Sequence, residues 1–385
     1  MSGAVIRHPG EYRWETRLLA VVTATLVVFG IANSYAAVVL QEGTANGMKQ
    51  VVGAILGLIG LTVMARIDYR RLRPLAWPLL GITVAFLIIP LLPFTRGIAP
   101  TINGARRWVD LGPVAVQPSE VARLVVVIWC AMLAAKKGEQ VRQFKKGMLP
   151  FLMVLGAVSL LVLLQPNMSM AVLTALCGFL VLFSAGAKIG HFLLLGVAAL
   201  WFVWEQVEGA SYRLARITAF LDPSAAGEAA THQVRQSLIG FGSGGFLGVG
   251  FGEGQQKLGY LPYAYNDFLF STIGEEWGFL GVALVVLLFT IFCLLGFRIA
   301  RTAADPFGRY LAGGLTALVG VTAVMHMCVS VALLPTTGLS LPFMSYGLSS
   351  LGITLLGTGI LISVGRLRGR PASSARPAST ARGPR

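Results

Sequence analysis

Apolar residues fall along this chain in long runs, at about 17–40, 47–65, 72–93, 119–135, 148–165, 169–186, 188–206, 267–297, 309–334 and 341–365. At 1.5 Å per residue, runs of this length suit helices that cross about 30 Å of hydrocarbon. The pattern predicts an all-α polytopic membrane protein with about ten transmembrane helices. An even number of crossings puts both termini on one side. Between the runs most connections are short, but two are long, 94–118 and 207–266, the second between helices 7 and 8. Loops of that length in a compact membrane protein are functional or disordered. The second carries Trp, Tyr, Phe and Leu among its polar residues, so it is expected to pack on the bundle.

Composition agrees with a lipid environment. The 385 residues are 55% hydrophobic and 12% charged, with a mean hydropathy of +0.74. A water-soluble chain of this size would need far more polar surface. The net charge of +15 does not indicate nucleic acid, because its basic residues are sorted by side. Of 31 Lys and Arg, 22 fall on the side of the N-terminus and eight on the other, with Arg123 inside a span. By the positive-inside rule both termini are cytoplasmic. The expected organisation is a cytoplasmic arm (1–16), a membrane domain (17–365) and a basic tail (366–385) that is disordered and drawn to anionic lipid. No small-residue cleavage motif follows the first run, which reads as a retained anchor. The four cysteines (Cys130, Cys177, Cys293 and Cys328) lie within apolar runs and read as packing residues, not disulfide partners.

Charge near or inside a span is costly, which makes it the first place to seek chemistry. Glu120 and Arg123 share one helix entrance at a spacing of three, as an anchoring ion pair or as part of a substrate site. Asp267 opens the eighth span directly after the large outer loop. Glu275 follows roughly 12 Å deeper, and Glu276 points to the opposite side. At least one of these two needs a polar partner inside the bundle, in a structural network or a catalytic one. Other signals carry less. Gly240, Gly242 and Gly245 fit a G-x-G-x-x-G spacing but lack the strand and helix of a dinucleotide fold, so close backbone packing or a hinge is the better account. The histidines (His8, His191, His232 and His326) have no zinc-ligand spacing, and no G-x-S-x-G elbow suggests a hydrolase.

Several stretches in order look familiar. Asn103-Gly-Ala-Arg-Arg-Trp108 is followed by Gln117-Pro-Ser-Glu120, then by Tyr212-Arg213, Arg216 and Phe220-Leu-Asp-Pro223. Gln233, Gln236, Ser237 and Gln256-Lys257 continue the series, then Tyr260-Leu-Pro262, Asn266-Asp267-Phe268 and Gly274-Glu-Glu-Trp-Gly278. Pro335, Gly338-Leu-Ser-Leu-Pro342 and Ser345-Tyr-Gly347 with Ser349-Ser350 end it. Together they resemble the SEDS family (shape, elongation, division and sporulation) of RodA/FtsW type, with Thr337-Gly-Leu-Ser-Leu-Pro342 closer to the FtsW-like branch.

The resemblance implies a peptidoglycan glycosyltransferase that polymerises lipid II at the outer face of the inner membrane and releases undecaprenyl diphosphate. It puts the essential aspartate at Asp267. Arg106, Arg107, Arg213, Arg216 and Lys257 become the cations for the diphosphate, with a divalent cation (Mg or Mn) as a possible helper. Trp108, Glu120, Gln233, Gln236, Ser237, Ser345 and Tyr346 become further substrate-binding residues. It also implies a class B penicillin-binding protein as transpeptidase partner, membrane lipids as surroundings and no nucleic acid. The chain departs from the family pattern at Tyr263-Ala-Tyr-Asn266, where Glu-Ala-His-Thr is usual, and at Arg123, Asn167, Thr337 and Leu348. These changes alter the neighbours of Asp267 and keep two other readings open, a lipid II flippase and a non-catalytic scaffold.

Overall fold

Backbone amides in hydrocarbon must be satisfied internally, so apolar runs become helices. The computed structural model describes residues 13–368 apart from 103, 113, 194–195, 198–203, 206–210 and 222–227. Its helices are α1 (Arg13–Glu42), α2 (Thr44–Arg66), α3 (Leu72–Ile88), α4 (Pro118–Lys137), α5 (Leu149–Leu163) and α6 (Met168–Ser184). They continue with α7 (Ser211–Leu221), α8 (Glu228–Gly244), α9 (Leu269–Arg301), α10 (Pro306–Ser330) and α11 (Leu348–Arg366). A two-stranded antiparallel hairpin, β1 (Val109–Asp110) and β2 (Ala115–Val116), lies in the first long loop.

Among the described residues, eight helices, α1–α5 and α9–α11, some with adjoining turns, are long and apolar enough to cross a membrane, and α6 is a shorter apolar helix. About half of the seventh run (188–206) lies outside the described residues, as do all of 1–12 and 369–385. Two helix ends differ from the hydropathy pattern. The third run ends as a helix at Ile88 because Pro90 and Pro93 follow, and proline cannot supply the next amide. The last run begins as a helix only at Leu348. Pro342, Phe343 at φ 67° and Gly347 at φ 154° first make a turn that reaches the site.

α4 is the central helix, buried along nearly its whole length. Trp129 sits at its middle, fully buried, with Trp77 and Phe151 edge-on at 5.3 and 5.7 Å. α2 lies along α11 through glycines, Gly57 facing Leu355 and Gly359 facing the backbone of Leu61, as small residues let membrane helices approach. The cytoplasmic ends are tied by polar contacts. Asp305 caps α10 and accepts from Tyr69 Oη and Arg70, while Ser363 accepts from the Tyr69 amide and donates to Ile67 O. Glu15 pairs with both Arg298 and Arg368.

α9 is broken at Gly278, whose φ of 61° and ψ of −156° interrupt the helix. The residues after the break, 279–301, span about 34 Å and so cross the membrane unaided. The glycine-rich segment after α8 zips onto the break. Val249 N and Gly250 N donate to the carbonyls of Glu275 and Glu276, and Phe279 N and Leu280 N donate to Gly245 O and Phe246 O. This is the close backbone packing expected of the glycines, though a Cβ would meet a neighbour at Gly240, Gly244 and Gly248 and none at Gly242 or Gly245. Gly248 has φ 85°, and a Cβ there would overlap the Glu276 carbonyl. Gly248→Ala is therefore expected to destabilise the protein by at least about 1–2 kcal/mol from backbone conformation alone. Gly242, with open space around it, serves as control: Gly242→Ala should leave the melting temperature in detergent unchanged or raised, and Gly248→Ala should lower it.

Candidate active site

The outer ends of the helices surround a cavity of about 1050 Å³. Its walls come from seven stretches of the chain. These are the first outer loop (Arg107, Trp108), the start of α4 (Gln117, Glu120, Arg123), the α5–α6 turn (Asn167), α7 and α8 (Arg216, Gln233) and the two turns 263–268 and 336–347. Glu42, at the outer end of α1, completes the rim.

Asp267 does not open a helix; it stands in a tight turn two residues before α9. The amides of Asn266 and Asp267 both donate to Tyr263 O at 3.0 Å. This turn is stitched to the one ahead of α11. Ser345 Oγ donates to Asn266 O (2.8 Å) and accepts from Leu341 N (2.9 Å), and Tyr346 N donates to Tyr265 O (3.1 Å). Gly338, at φ 68°, passes close to the carboxylate; a Cβ there would lie 3.6 Å from Asp267 Oδ2. His326 Nδ1 meets Leu339 O at 2.7 Å and so fixes that segment to α10. No hydrogen bond among the described residues engages the Asp267 carboxylate. Burial lifts its pKa to about 6, and the Arg216 guanidinium pulls the other way.

Glu120 and Arg123 form an ion pair, both buried and both on the cavity wall. Pro118 at the first turn and extended Gln117 start α4 here, so the helix dipole favours the Glu120 carboxylate. Arg123 Nη1 lies 3.5 Å from Thr322 Oγ1 on α10, and its Nε has no partner among the described residues. The pair thus anchors the start of α4 and also lines the cavity.

The remaining expected site residues divide. Arg107, Trp108, Arg216, Gln233 and Tyr346 line the cavity with Asp267. Arg107 is braced by the carbonyls of Gln165 and Pro166, and Arg216 Nη1 reaches Thr336 O at 3.4 Å. The Arg213 side chain lies outside the described residues. Lys257 and Arg106 stand apart. Lys257 is 4% exposed and pairs with Glu276 at 2.7 Å, because a lone buried carboxylate beside the helix break needs a cation. Arg106 spends its guanidinium on Ala99 O, Leu92 O and Thr95 Oγ1, folding the first outer loop. Ser237 is buried and donates to Ser330 O, Ser345 joins the two turns as above, and Gln236 is not on the cavity wall. Both deep acids are partnered, since Glu275 accepts the amides of Gln255 and Gln256.

Sequence reasoning missed Glu42, which accepts from Tyr265 Oη at 2.6 Å. A single carboxylate at the outer end of a span reads as a membrane-boundary residue, and only the fold shows what it faces. Among the described residues no group of three His, Cys, Asp or Glu converges on a metal-sized point. A carboxylate of raised pKa and arginines in one outward cavity suit a reaction that removes a hydroxyl proton while an anion leaves.

A family model for cell cycle proteins of the FtsW, RodA and SpoVE type matches residues 14–369. The chain is 39% identical over 366 residues to a probable peptidoglycan glycosyltransferase FtsW of Trichlorobacter lovleyi, covering 94% of this chain and 95% of that one. It is 32% identical over 355 residues to the stage V sporulation protein E of Bacillus subtilis, covering 91% and 96%. Among solved structures, it resembles a chain of a peptidoglycan synthase complex that coordinates polymerization and crosslinking, with TM-score 0.76, 29% identity and coverage of 92% and 98%. The rod shape determining protein RodA of Thermus thermophilus matches with TM-score 0.67, 28% identity and coverage of 92% and 97%.

Proposed function

The chain belongs to the FtsW/RodA/SpoVE family of cell cycle proteins, and from that premise we propose that it is a peptidoglycan glycosyltransferase of the inner membrane whose base is Asp267. The observation that carries this reading is the Asp267 carboxylate, free of hydrogen bonds among the described residues and facing a large outward cavity that Arg216 shares. A sugar hydroxyl of one lipid II unit attacks the anomeric carbon of another glycan unit. The new glycosidic C–O bond forms as the bond to the diphosphate oxygen breaks. The hydroxyl proton passes to Asp267, and undecaprenyl diphosphate leaves with its charge offset by Arg216 and Arg107. A divalent cation would add positive charge beside the leaving diphosphate, but no group of three His, Cys, Asp or Glu among the described residues converges to hold one.

The ties at the cytoplasmic end, Tyr69–Asp305–Arg70 and Glu15 with Arg298 and Arg368, favour polymerisation at one face over a flippase that must open to both. We assign the partner as a class B penicillin-binding protein, whose transpeptidase domain cross-links the product and whose single membrane helix packs on this bundle. The test is glycan formation from purified lipid II, by the chain alone and with that partner. Polymer supports the reading, and none in either condition overturns it in favour of a flippase or a scaffold.

The base works deprotonated, so its pKa sets the acid limb of the rate. kcat/KM is expected to fall as pH drops through about 6, not near the ordinary aspartate value of 3.8. Arg216 opposes the upward shift, so Arg216→Gln should move the limb to higher pH while also weakening substrate binding. An acid limb unmoved in Arg216→Gln would separate that arginine from the base.

A further inference from the structure

The wall next to Asp267 carries an aromatic feature that the reaction as described does not use. Tyr263 is 41% exposed and lines the cavity, and its backbone is held at φ 56°. A bulky residue in the left-handed region is strained, and such strain persists where the surroundings enforce it. Here the turn enforces it, because Tyr263 O accepts the amides of both Asn266 and Asp267. The tyrosine ring and the carboxylate are therefore held in one rigid turn. Behind Tyr263 stands a support. Tyr265, 5% exposed, lies edge-on to Tyr263 at 6.4 Å and to Tyr346 at 5.6 Å, with its hydroxyl bound to Glu42 at 2.6 Å. Asn266 lines the same wall, and its Oδ1 accepts no hydrogen bond among the described residues.

An exposed aromatic ring, braced by a second and set beside a carboxylate and an amide, has the chemistry of a saccharide site. The axial C–H face of a pyranose packs on the ring, while its equatorial hydroxyl and acetamido groups take the polar neighbours. We propose that Tyr263, supported by Tyr265, is a stacking platform for the acceptor sugar that presents the attacking hydroxyl to Asp267. The proposal rests on the glycosyltransferase reading and adds the subsite of one substrate. Tyr263 and Tyr265 stand where acidic and histidine residues are usual in the pattern this chain resembles, so the platform belongs to this chain's own departure from that pattern.

The test separates ring from backbone. Asparagine tolerates the left-handed conformation, so Tyr263→Asn keeps the turn and removes the ring. Tyr263→Phe keeps the ring. Two readouts are taken on the full chain with its partner: KM and kcat for lipid II polymerisation, and calorimetric binding of a β-1,4-linked N-acetylglucosamine oligomer. Tyr263→Asn should raise KM and weaken oligomer binding by about two- to tenfold, the size of one aromatic stacking contact. kcat should change far less, and Tyr263→Phe should restore both readouts. Polymer from the wild type, with KM and oligomer binding unchanged in Tyr263→Asn, would overturn the platform and leave the polymerase standing. Oligomer binding that depends on Tyr263, without polymer, would keep the platform and remove the polymerase. Neither polymer nor binding would remove both.

Discussion

Asp267→Asn is expected to abolish polymerisation of lipid II, with a loss of about 10²–10⁴-fold, the usual contribution of a positioned general base. Asparagine has nearly the shape of aspartate. The turn is held by backbone bonds to Tyr263 O, and Gly338 leaves the same room beside the side chain, so the cavity should keep its form. What is lost is the proton acceptor. Stability should move the other way. A carboxyl whose pKa rises from 3.8 to about 6 in the folded protein is disfavoured there in its charged form. Above pH 6 the wild type carries that cost, and below about 4 it does not. Asp267→Asn should therefore melt no lower than wild type at pH 7, and any gain should vanish in acid. Full activity in a well-folded Asp267→Asn protein would exclude Asp267 as the base. Loss of both activity and melting temperature would mean that the carboxylate holds the turn instead.

The sequence made some of this legible and hid the rest for physical reasons. Hydropathy found the helices because lipid leaves the backbone few alternatives, charge at the ends of spans drew attention to Asp267 and the Glu120–Arg123 pair, and the resemblance gave Asp267 its role. It could not tell which outer cations face the cavity. Arg106 and Lys257 look equivalent to Arg107 and Arg216 along the chain, yet one folds a loop and the other neutralises Glu276. That difference depends on long-range contacts, from residue 257 to 276 and from Arg106 back to Leu92. The helix break at Gly278 was likewise invisible in a run of apolar residues. The glycines of 240–254 hinted at close backbone approach, but not at which of them approach or what they approach. Tyr263 and Tyr265 showed only as departures from a pattern, and the meaning of a departure depends on the wall it faces.

The Glu120–Arg123 pair gives the other large effect. Both side chains are about 95% buried, so Glu120→Gln leaves a guanidinium with its Nε already unpartnered and no counter-charge. Breaking a buried pair this way costs about 3–5 kcal/mol, although replacing both members by apolar residues of similar volume is often neutral. Stability alone thus gives a clear sign: Glu120→Gln should melt well below wild type, and Glu120→Leu/Arg123→Met should recover most of the difference. Polymerisation need not follow, because both residues also form the cavity wall beside Asn167 and Gln117. We expect the double variant to fold and yet polymerise poorly, since the wall facing the substrate has lost its polar groups. Recovery of both stability and rate would make the pair an anchor alone. A double variant as unstable as Glu120→Gln would point to Thr322 and the α4–α10 contact, where the Arg123 guanidinium lies 3.5 Å from the hydroxyl.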